Sequence, residues 1–347
     1  MDLLQQLNLT LPILQAPMAG AQGSAMAIAV SEAGGLGALP AAMLTPAALR
    51  DELATIAAAT RRPVNVNFFC HRPPTPDAAR EAAWRAALAP YFAEFGIDAA
   101  AIPSGPGRTP FDATAAEAVE ACRPAVVSFH FGLPAPELLA RVKATGALVL
   151  ASATTVAEGR WLEAHGADAV IAQGLEAGGH RGIFLSEDLT TQVGTFALLP
   201  QLVRALRVPV IAAGGIADAA GVRAALALGA AAAQVGTAYL CCPEASTSAL
   251  HRAALASPAA AHTALTNLFS GRPARGIVNR LMRELGPIGP LAPAFPLATA
   301  AVAPLRAKAE AAGSADFSPL WAGQNTSGCR AVPAAQRTRE LAGLEAV

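Results

Sequence analysis

Charged side chains are scarce in this sequence. Asp, Glu, Lys and Arg make up 14% of its 347 residues, and 25 acidic residues balance 25 basic ones. The formal net charge of zero provides no basic surface that would attract nucleic acid or an anionic membrane. We therefore expect a small-molecule partner, while composition leaves the oligomeric state open.

Cysteine and lysine are also few, and several catalytic motifs are missing. The five cysteines form no C-x-x-C pair and no zinc-like spacing with histidine, so we predict a reduced, cytoplasmic protein without a bound metal. The absence of a basic segment at the N-terminus favours the same location. Both lysines, Lys143 and Lys308, fall in predicted helices, which excludes a Schiff-base lysine at a strand end. Walker, G-x-S-x-G, H-E-x-x-H and Rossmann motifs are absent.

The longest uncharged stretch, residues 224–243, is long enough to be considered as a membrane span. It is mostly Ala and Gly, however, and it contains the polar residues Gln234, Thr237 and Tyr239. Gly229 divides it into two parts. We interpret the stretch as the end of a buried helix followed by a strand.

One structural unit recurs eight times along the chain: a short apolar strand, a polar or glycine-bearing turn, and an alanine-rich helix. The predicted strands cover residues 13–16, 36–39, 64–68, 125–129, 148–151, 169–172, 208–213 and 232–235. This alternation predicts an α/β fold, a closed (β/α)8 TIM barrel, with a small α-helical subdomain inserted after strand eight. We assign residues 1–242 to the barrel, 243–296 to the subdomain, and 297–347 to a closing helix and a loosely ordered C-terminal tail returning to the barrel.

Glycines and polar residues gather directly after strand six, in the run 173–182. This run combines a carboxylate, an imidazole and a guanidinium with several glycines, among them Gly178 and Gly179. Ligands of parallel α/β folds bind at the carboxyl ends of the strands, and glycine lets the backbone approach a flat or phosphorylated ligand closely. The run is therefore the first candidate for a binding loop.

Two further glycine turns follow strands seven and eight. Gly214 and Gly215 end strand seven, and Gly236 and Thr237 end strand eight, where barrels commonly bind a phosphate. Asn67 at the end of strand three, and the glutamine that opens the loop after strand six, add amide groups at other strand ends. A phosphate site combined with amide contacts predicts flavin mononucleotide (FMN) as cofactor.

Two histidines and one methionine occupy other strand ends. His130 ends strand four, where its imidazole can act as a base or as a switchable positive charge, with a buried structural histidine as the alternative. His180 is similarly placed, and its neighbour Arg181 favours the neutral imidazole. Met18 covers one face of the flavin or belongs to the core.

Seven segments resemble the flavin-dependent nitronate monooxygenases, formerly called 2-nitropropane dioxygenases. They are QAPMAG (15–20), AVSEAGGLG (29–37), NFFCH (67–71), SFHFG (128–132), QGLEAGGHRG (173–182), IAAGGI (211–216) and QVGT (234–237). The resemblance implies an FMN-binding barrel that oxidises alkyl nitronates with O2 to a carbonyl compound and nitrite. We hypothesise single-electron transfer to the flavin, with His130 positioning the nitro group and serving as the base where neutral nitroalkanes are accepted.

The resemblance also implies roles for individual residues. It makes His130 the active-site histidine, and it assigns to FMN the residues Asn67, Gln173, Gly178, Gly215, Gln234, Val235, Gly236 and Thr237. Family members place tyrosines and a lysine around the substrate, whereas this chain has Phe295, Pro296 and Leu297 in the corresponding region. We expect His180 and Phe295 to contact the substrate, whose identity stays open.

Two other functions fit parts of the pattern. A flavin-dependent enoyl-thioester reductase that uses NAD(P)H would share the barrel and the stretch 176–180, but is not expected to carry the motif 130–132. A flavin-binding barrel without turnover would keep the glycine turns and would not need His130. The use of NAD(P)H is left open.

Overall fold

A closed barrel of parallel strands forms the centre of the computed structural model, which describes residues 3–102 and 107–344. The strands of this part of the chain are β1 (Ile13–Gln15), β2 (Gly37–Pro40), β3 (Val64–Phe69), β4 (Val126–His130), β5 (Leu148–Ala153), β6 (Ala169–Gln173), β7 (Gly179–His180), β8 (Val210–Ala213), β9 (Ala232–Val235), β10 (Thr263–Thr266) and β11 (Ala274–Ile277). Its α-helices are α1 (Leu3–Gln6), α2 (Ser24–Glu32), α3 (Pro46–Ala59), α4 (Ala78–Glu94), α5 (Ala113–Cys122), α6 (Pro136–Ala144), α7 (Val156–Ala164), α8 (Thr195–Ala205), α9 (Ala219–Ala227), α10 (Ala249–Leu255), α11 (Arg280–Leu285), α12 (Thr299–Ala311) and α13 (Ala334–Leu341).

Eight of these strands form the barrel in the order β1-β9-β8-β6-β5-β4-β3-β2, and all their pairings are parallel. The ring closes where Leu14 of β1 forms a bridge with Leu36. At this seam Leu36 donates to the carbonyl of Ile13 and accepts from the N–H of Gln15, both at 2.9 Å. The predicted TIM barrel is confirmed, with every predicted strand present.

The amino-terminal end of the barrel is filled by apolar side chains. Leu3 and Leu7, in and just after α1, pack into one cluster with residues from the beginnings of the strands, such as Val126 and Ala169. Their burial removes apolar surface from water and plugs this end. A ligand can therefore reach the polar strand ends only from the opposite, carboxyl-terminal side.

A second hydrophobic cluster lies beside the barrel. Trp84 and Leu88 of α4 pack there with Val302 and Leu305 of α12 and with Leu281 of α11. The segment 243–296 also contains the antiparallel hairpin β10–β11, which the sequence pattern does not predict and which pairs with β7. The second cluster thus also includes α4, which follows β3 in the sequence. The domain boundaries at residues 242 and 296 stay predictions.

The C-terminal segment is more ordered than the loosely ordered tail that we predicted. Its helix α13 buries Arg337, Glu340 and Leu341, which are 2%, 1% and 0% exposed. Arg337 donates to Glu340 at 2.8 Å, and the Thr338 hydroxyl lies 2.9 Å from that of Tyr239. The prediction is wrong for this helix because it relied on the usual disorder of chain ends, whereas here the charged side chains pair with each other in the interior.

The uncharged stretch at 224–243 has the structure that we predicted for it. It comprises the end of α9, strand β9 and a turn. Within the two described ranges, no helix combines the length and the apolar character that crossing a membrane requires.

Candidate active site

The loop that follows β6 is folded around the side chain of Gln173. Its Nε2 donates to the carbonyl of His180 at 3.0 Å, and its Oε1 accepts from the N–H of Gly182 at 2.8 Å. A primary amide can hold both sides of a loop because it carries donors and an acceptor. Gln173 thus lies at the predicted strand end, fixes the loop, and keeps one amide hydrogen for a ligand.

Arg181 stabilises the same loop from within the protein. Its fully buried guanidinium donates to the carbonyls of Gly174 and Gln173, at 2.6 and 2.8 Å, and to Gln192. Burial lowers the pKa of Arg181 to about 10, which leaves the side chain charged at neutral pH. The charge therefore holds backbone carbonyls in place.

A segment near the C-terminus packs directly against the glycines of this loop. A Cβ atom on Gly178 would lie 2.5 Å from the nitrogen of Gly323 and 2.6 Å from the carbonyl carbon of Ala322. Only glycine leaves room for such a close approach of two backbones. Gly178 therefore admits the C-terminal segment, a role that the sequence does not indicate.

The same segment joins the other two glycine turns. Gly323 donates to Thr237 Oγ1 at 2.9 Å, Gln324 donates to the Glu176 carbonyl at 2.9 Å, and Asn325 donates to the Gly215 carbonyl at 3.0 Å. We call residues 322–325 the docking segment. We did not predict it, although a glycine followed by two amides, starting two residues after Trp321, is a signal that could have indicated it.

The turns after β8 and β9 have the backbone that the phosphate prediction requires. Gly214 and Gly215 have φ angles of +118° and +74°, a region that residues with a side chain rarely adopt. After β9, the first hydrogen bond of the turn runs from Tyr239 to the Gly236 carbonyl at 2.8 Å. The N–H groups of Gly236 and Thr237 therefore lie outside the hydrogen bonds of the turn and are oriented as at a helix start, where anions bind.

Amide groups at the carboxyl ends of two strands fit a flavin. Gln234 has a buried Oε1 that finds no hydrogen-bond partner among the residues the structure describes. An unpaired buried acceptor is costly, so this oxygen suits a ligand N–H, which the flavin ring system provides. Asn67, which is buried, donates to Ser128 Oγ at 2.9 Å and keeps its amide at the end of β3.

The remaining cofactor candidates divide into backbone and side-chain contributors. Val235 is buried in the core beside β1, so only its backbone is left for a ligand. Gly179 lies in β7 and pairs with Arg275 of β11. A Cβ atom on Gly236 would lie 3.7 Å from Met18 Sδ, and the partly buried Met18 also packs against two core clusters. Both interpretations of Met18 therefore have structural support.

His130 is held by hydrogen bonds at both ring nitrogens. Nε2 lies 3.1 Å from the carbonyl of His180, and Nδ1 lies 3.1 Å from Ser152 Oγ. Since a carbonyl only accepts, Nε2 carries the proton and Nδ1 accepts from the Ser152 hydroxyl. The pKa of His130 is lowered to about 4, mainly by burial and also by the charges of Arg272 and Arg181, while the hydrogen bond to the His180 carbonyl acts in the opposite direction. The imidazole is therefore neutral at pH 7, and a charge that switches near neutral pH is not favoured.

His180 is also neutral, although not for the reason we predicted. Burial is the main cause that lowers its pKa well below the usual value, followed by the charge of Arg108, while Arg181 is turned towards the strand carbonyls. Its Nε2 lies 2.8 Å from Ser270 Oγ. The site therefore contains two neutral imidazoles, linked by the hydrogen bond between His130 and the His180 carbonyl.

An aromatic cluster borders both imidazoles. It consists of Phe69, Phe131 and Phe295, which are all buried. The ring of Phe131 lies 4.6 Å from that of His130, and the ring of Phe295 lies 5.3 Å from that of His180. The expected substrate residues His180 and Phe295 thus lie together with His130 in one largely apolar site.

The fold and the site together define a flavin-dependent oxidoreductase built on a parallel barrel. The sequence model of the nitronate monooxygenase family matches residues 2–342. The chain belongs to this family.

Several known proteins are similar to this chain over nearly its whole length. A nitronate monooxygenase of Pseudomonas aeruginosa is 45% identical over 341 residues, covering 96% of each protein. One from Paraburkholderia phytofirmans is 44% identical, covering 98% of this chain and 93% of the relative. The solved structure of nitroalkane oxidase from Streptomyces ansochromogenes has a TM-score of 0.89 at 40% identity, with 99% and 97% coverage. FabK from Thermotoga maritima has a TM-score of 0.74 at 26% identity, with 98% and 94% coverage.

Proposed function

We propose that this protein is an FMN-dependent enzyme that oxidises alkyl nitronates with O2 to a carbonyl compound and nitrite. The observation that carries the proposal is the meeting of three glycine turns with His130 and His180 at one barrel end. Membership of the nitronate monooxygenase family and the likeness to a nitroalkane oxidase support it. The nitronate, or a nitroalkane, and O2 are the partners we propose, and the cytoplasmic location stays a prediction.

The residues at the strand ends are suited to bind the two parts of FMN. Backbone N–H groups of Gly215, Gly236 and Thr237 would hold the phosphate. The amides of Asn67, Gln173 and Gln234 would bind the edge of the ring system, with Gly178, Gly179 and Gly214 shaping the backbone and Met18 next to one face. When bound, the flavin supplies the acceptor for electrons from the substrate, which we propose to leave one at a time.

The charge of the substrate decides what His130 has to do. A nitronate has already lost its α-proton, so its oxidation requires binding and orientation but no base. A neutral nitroalkane must first lose that proton, and Nδ1 is the basic atom of the neutral His130 ring. We infer that Nδ1 accepts the proton where nitroalkanes are substrates, once the Ser152 hydroxyl has turned its own proton away from this nitrogen.

The apolar surroundings serve the same reaction. Phe69, Phe131 and Phe295 border the imidazoles and exclude water from them. In such an environment a hydrogen bond to an anion is stronger than in water. A small substrate of low polarity apart from its nitronate group fits these walls.

The test compares two reactions on the same purified protein. Oxygen uptake and nitrite formation are measured with ethylnitronate, and NADPH consumption is measured in parallel with a crotonyl thioester. We expect oxygen uptake and nitrite well above the rate with free FMN, and no thioester-dependent NADPH oxidation. Thioester reduction without nitronate oxidation would show an enoyl reductase instead, and turnover of neither substrate would show a non-catalytic flavin-binding barrel.

A further inference from the structure

A guanidinium that forms no salt bridge with the described residues lies against the aromatic wall of the site. Arg272 stands in the turn before β11, and its Cζ lies 4.1 Å from the centre of the Phe131 ring. One of its terminal nitrogens donates to the carbonyl of Ile183. Its Nε is buried and has no hydrogen-bond partner in the described parts of the chain. Part of the donor capacity of Arg272 is therefore unused.

The carboxylates of Glu187 and Glu158 act on Arg272 through their charge but do not pair with it. Among residues 3–102 and 107–344, no carboxylate forms a salt bridge with its guanidinium. The carboxylate of Glu158 instead accepts from the N–H groups of Thr154 and Phe184, both at 2.7 Å. Even a partly buried charge such as this one is unfavourable for folding when it is left unpaired. Such a charge is expected where a ligand completes its coordination.

Arg272 is placed where a ligand of the site would meet it. The ring of Phe131, which carries the guanidinium on its face, also contacts the ring of His130 and lies 6.0 Å from that of His180. The positive charge of Arg272 contributes to lowering the pKa of both histidines. The guanidinium and the two imidazoles therefore share one small volume.

The two imidazoles cannot neutralise an anionic substrate, because both are uncharged at pH 7. A second guanidinium, that of Arg108, borders the same cluster at greater distances, 5.6 Å from the Phe295 ring and 6.0 Å from the Phe69 ring. Arg272 stacks on the ring that contacts His130, whereas the charge of Arg108 acts more strongly on His180. The charge that faces the reacting group is therefore assigned to Arg272.

We propose that Arg272 binds the two oxygen atoms of the nitronate and makes the site prefer the anion over the neutral nitroalkane with the same carbon skeleton. This inference rests on the proposed function. A guanidinium matches a planar group with two oxygens because its N–H donors form a fixed fork, as in pairs between arginine and carboxylate. Arg272 is then a specificity-determining residue, and His130 orients the substrate and receives a proton when one must be removed.

Substitutions at Arg272 test the proposal through the substrate's charge. Kinetic constants of Arg272→Gln and Arg272→Lys are measured with ethylnitronate and with nitroethane at one pH. We expect Arg272→Gln to raise the KM for ethylnitronate by about tenfold to hundredfold, as for one lost charge-assisted pair, and to change that for nitroethane less than about threefold. The KM of Arg272→Lys for ethylnitronate should lie between those of the wild type and Arg272→Gln, because lysine keeps the charge but lacks the two parallel N–H donors of the guanidinium. Equal losses on both substrates would mean a structural role and overturn the proposal.

Arg108→Gln is the matched control, since it removes the same charge from the other side of the cluster. Its effect on the KM for ethylnitronate should be several-fold smaller than that of Arg272→Gln. An equal or larger effect would move the anion site to Arg108 and overturn the assignment.

A binding measurement separates this proposal from the proposed function and does not depend on turnover. Propionate and propionamide have the same shape and differ in charge, and each is titrated calorimetrically into the flavin-loaded wild-type enzyme. We expect tighter binding of propionate, and loss of this preference in Arg272→Gln with unchanged flavin content. A wild-type protein that binds both equally would overturn the proposal even if both variants failed to fold. Preference for the anion without nitronate oxidation would refute the proposed function alone.

Discussion

The close contact between Gly178 and the docking segment leads to our most quantitative prediction. Ordinary contacts of a Cβ atom are 3.4–4 Å, whereas one on Gly178 would lie 2.5 Å from the nitrogen of Gly323. In Gly178→Ala the backbone at 322–323 must therefore move by about 1 Å, a form of overpacking. Neighbouring Gly179 provides the control, because a Cβ there would meet nothing within 4 Å although its φ is +71°.

The two substitutions should differ clearly in stability. Overpacking costs about 1–3 kcal/mol, and displacement of the segment weakens the hydrogen bonds from Gly323 to Thr237 and from Gln324 to Glu176, worth about 1 kcal/mol each. The sum of about 3–5 kcal/mol corresponds to a fall in Tm of roughly 4–7 °C for a chain of this length. Gly179→Ala should cost only the left-handed conformation, about 1–2 kcal/mol or roughly 1–3 °C.

Thermal unfolding of the flavin-free proteins measures this difference without any contribution from the cofactor. Flavin affinity, measured separately by titration of the apoproteins, should fall more in Gly178→Ala, because the displaced segment no longer holds the turns at Thr237 and Gly215. Equal Tm values for the two variants would show that the docking segment moves aside without loss of stability, and would refute the prediction.

Four further predictions concern the site. In His130→Asn, nitroalkane oxidation should be lost, because the base is missing. The kcat/KM for the nitronate should fall by about tenfold at most, which corresponds to the loss of one neutral hydrogen bond. Equal small losses with both substrates would show that His130 has no part in the mechanism. Because the pKa of His130 is about 4 in the folded protein and about 6.5 when unfolded, its share of stability is present above pH 6.5 and lost as the pH falls towards 4. Urea unfolding should show that, between pH 7 and pH 5, the free energy of unfolding falls by about 2 kcal/mol less in His130→Asn than in the wild type. Gly215→Asp, which strains a φ of +74° and places a carboxylate near the phosphate turn and Glu176, should yield colourless protein; stoichiometric flavin absorbance would contradict the assigned site. Exhaustive chelation should leave turnover unchanged, since the described residues contain no metal-ligand cluster; activity restored by one divalent ion would contradict this.

The barrel could be predicted because its signals are local. Each strand is a short apolar run, and each ends in a polar or glycine-bearing turn, so β9 was found with its observed bounds and β1 to within one residue. The turn at Gly214 and Gly215 could also be predicted locally, because glycine is the residue that adopts its left-handed backbone easily. Strand ends of a parallel barrel converge, and this brings the predicted residues together.

The features that were missed depend on contacts between distant parts of the chain. Nothing near Gly323 shows that it meets Gly178, and nothing near Arg337 shows that its charge is paired in the interior. The neutral state of His130 was likewise hidden, because it depends mainly on burial, and the position of its proton depends on the carbonyl of His180. A sequence pattern reports the environment along the chain, whereas pKa values and docking depend on the environment in space.

The seam of the barrel has a consequence for biosynthesis. Strand β1 leaves the ribosome first, but its three paired residues are bound by β9, which spans residues 232–235. On its other side, β1 forms a single bridge, to Leu36 just before β2. Until β9 has been made, β1 and the growing sheet expose unpaired edges that other chains can extend. Pairing of strands so far apart in sequence is slow. The yield of soluble protein should therefore depend on how long the nascent sheet stays open, and slower synthesis at low temperature or chaperones that cover sheet edges should raise it without changing the finished enzyme.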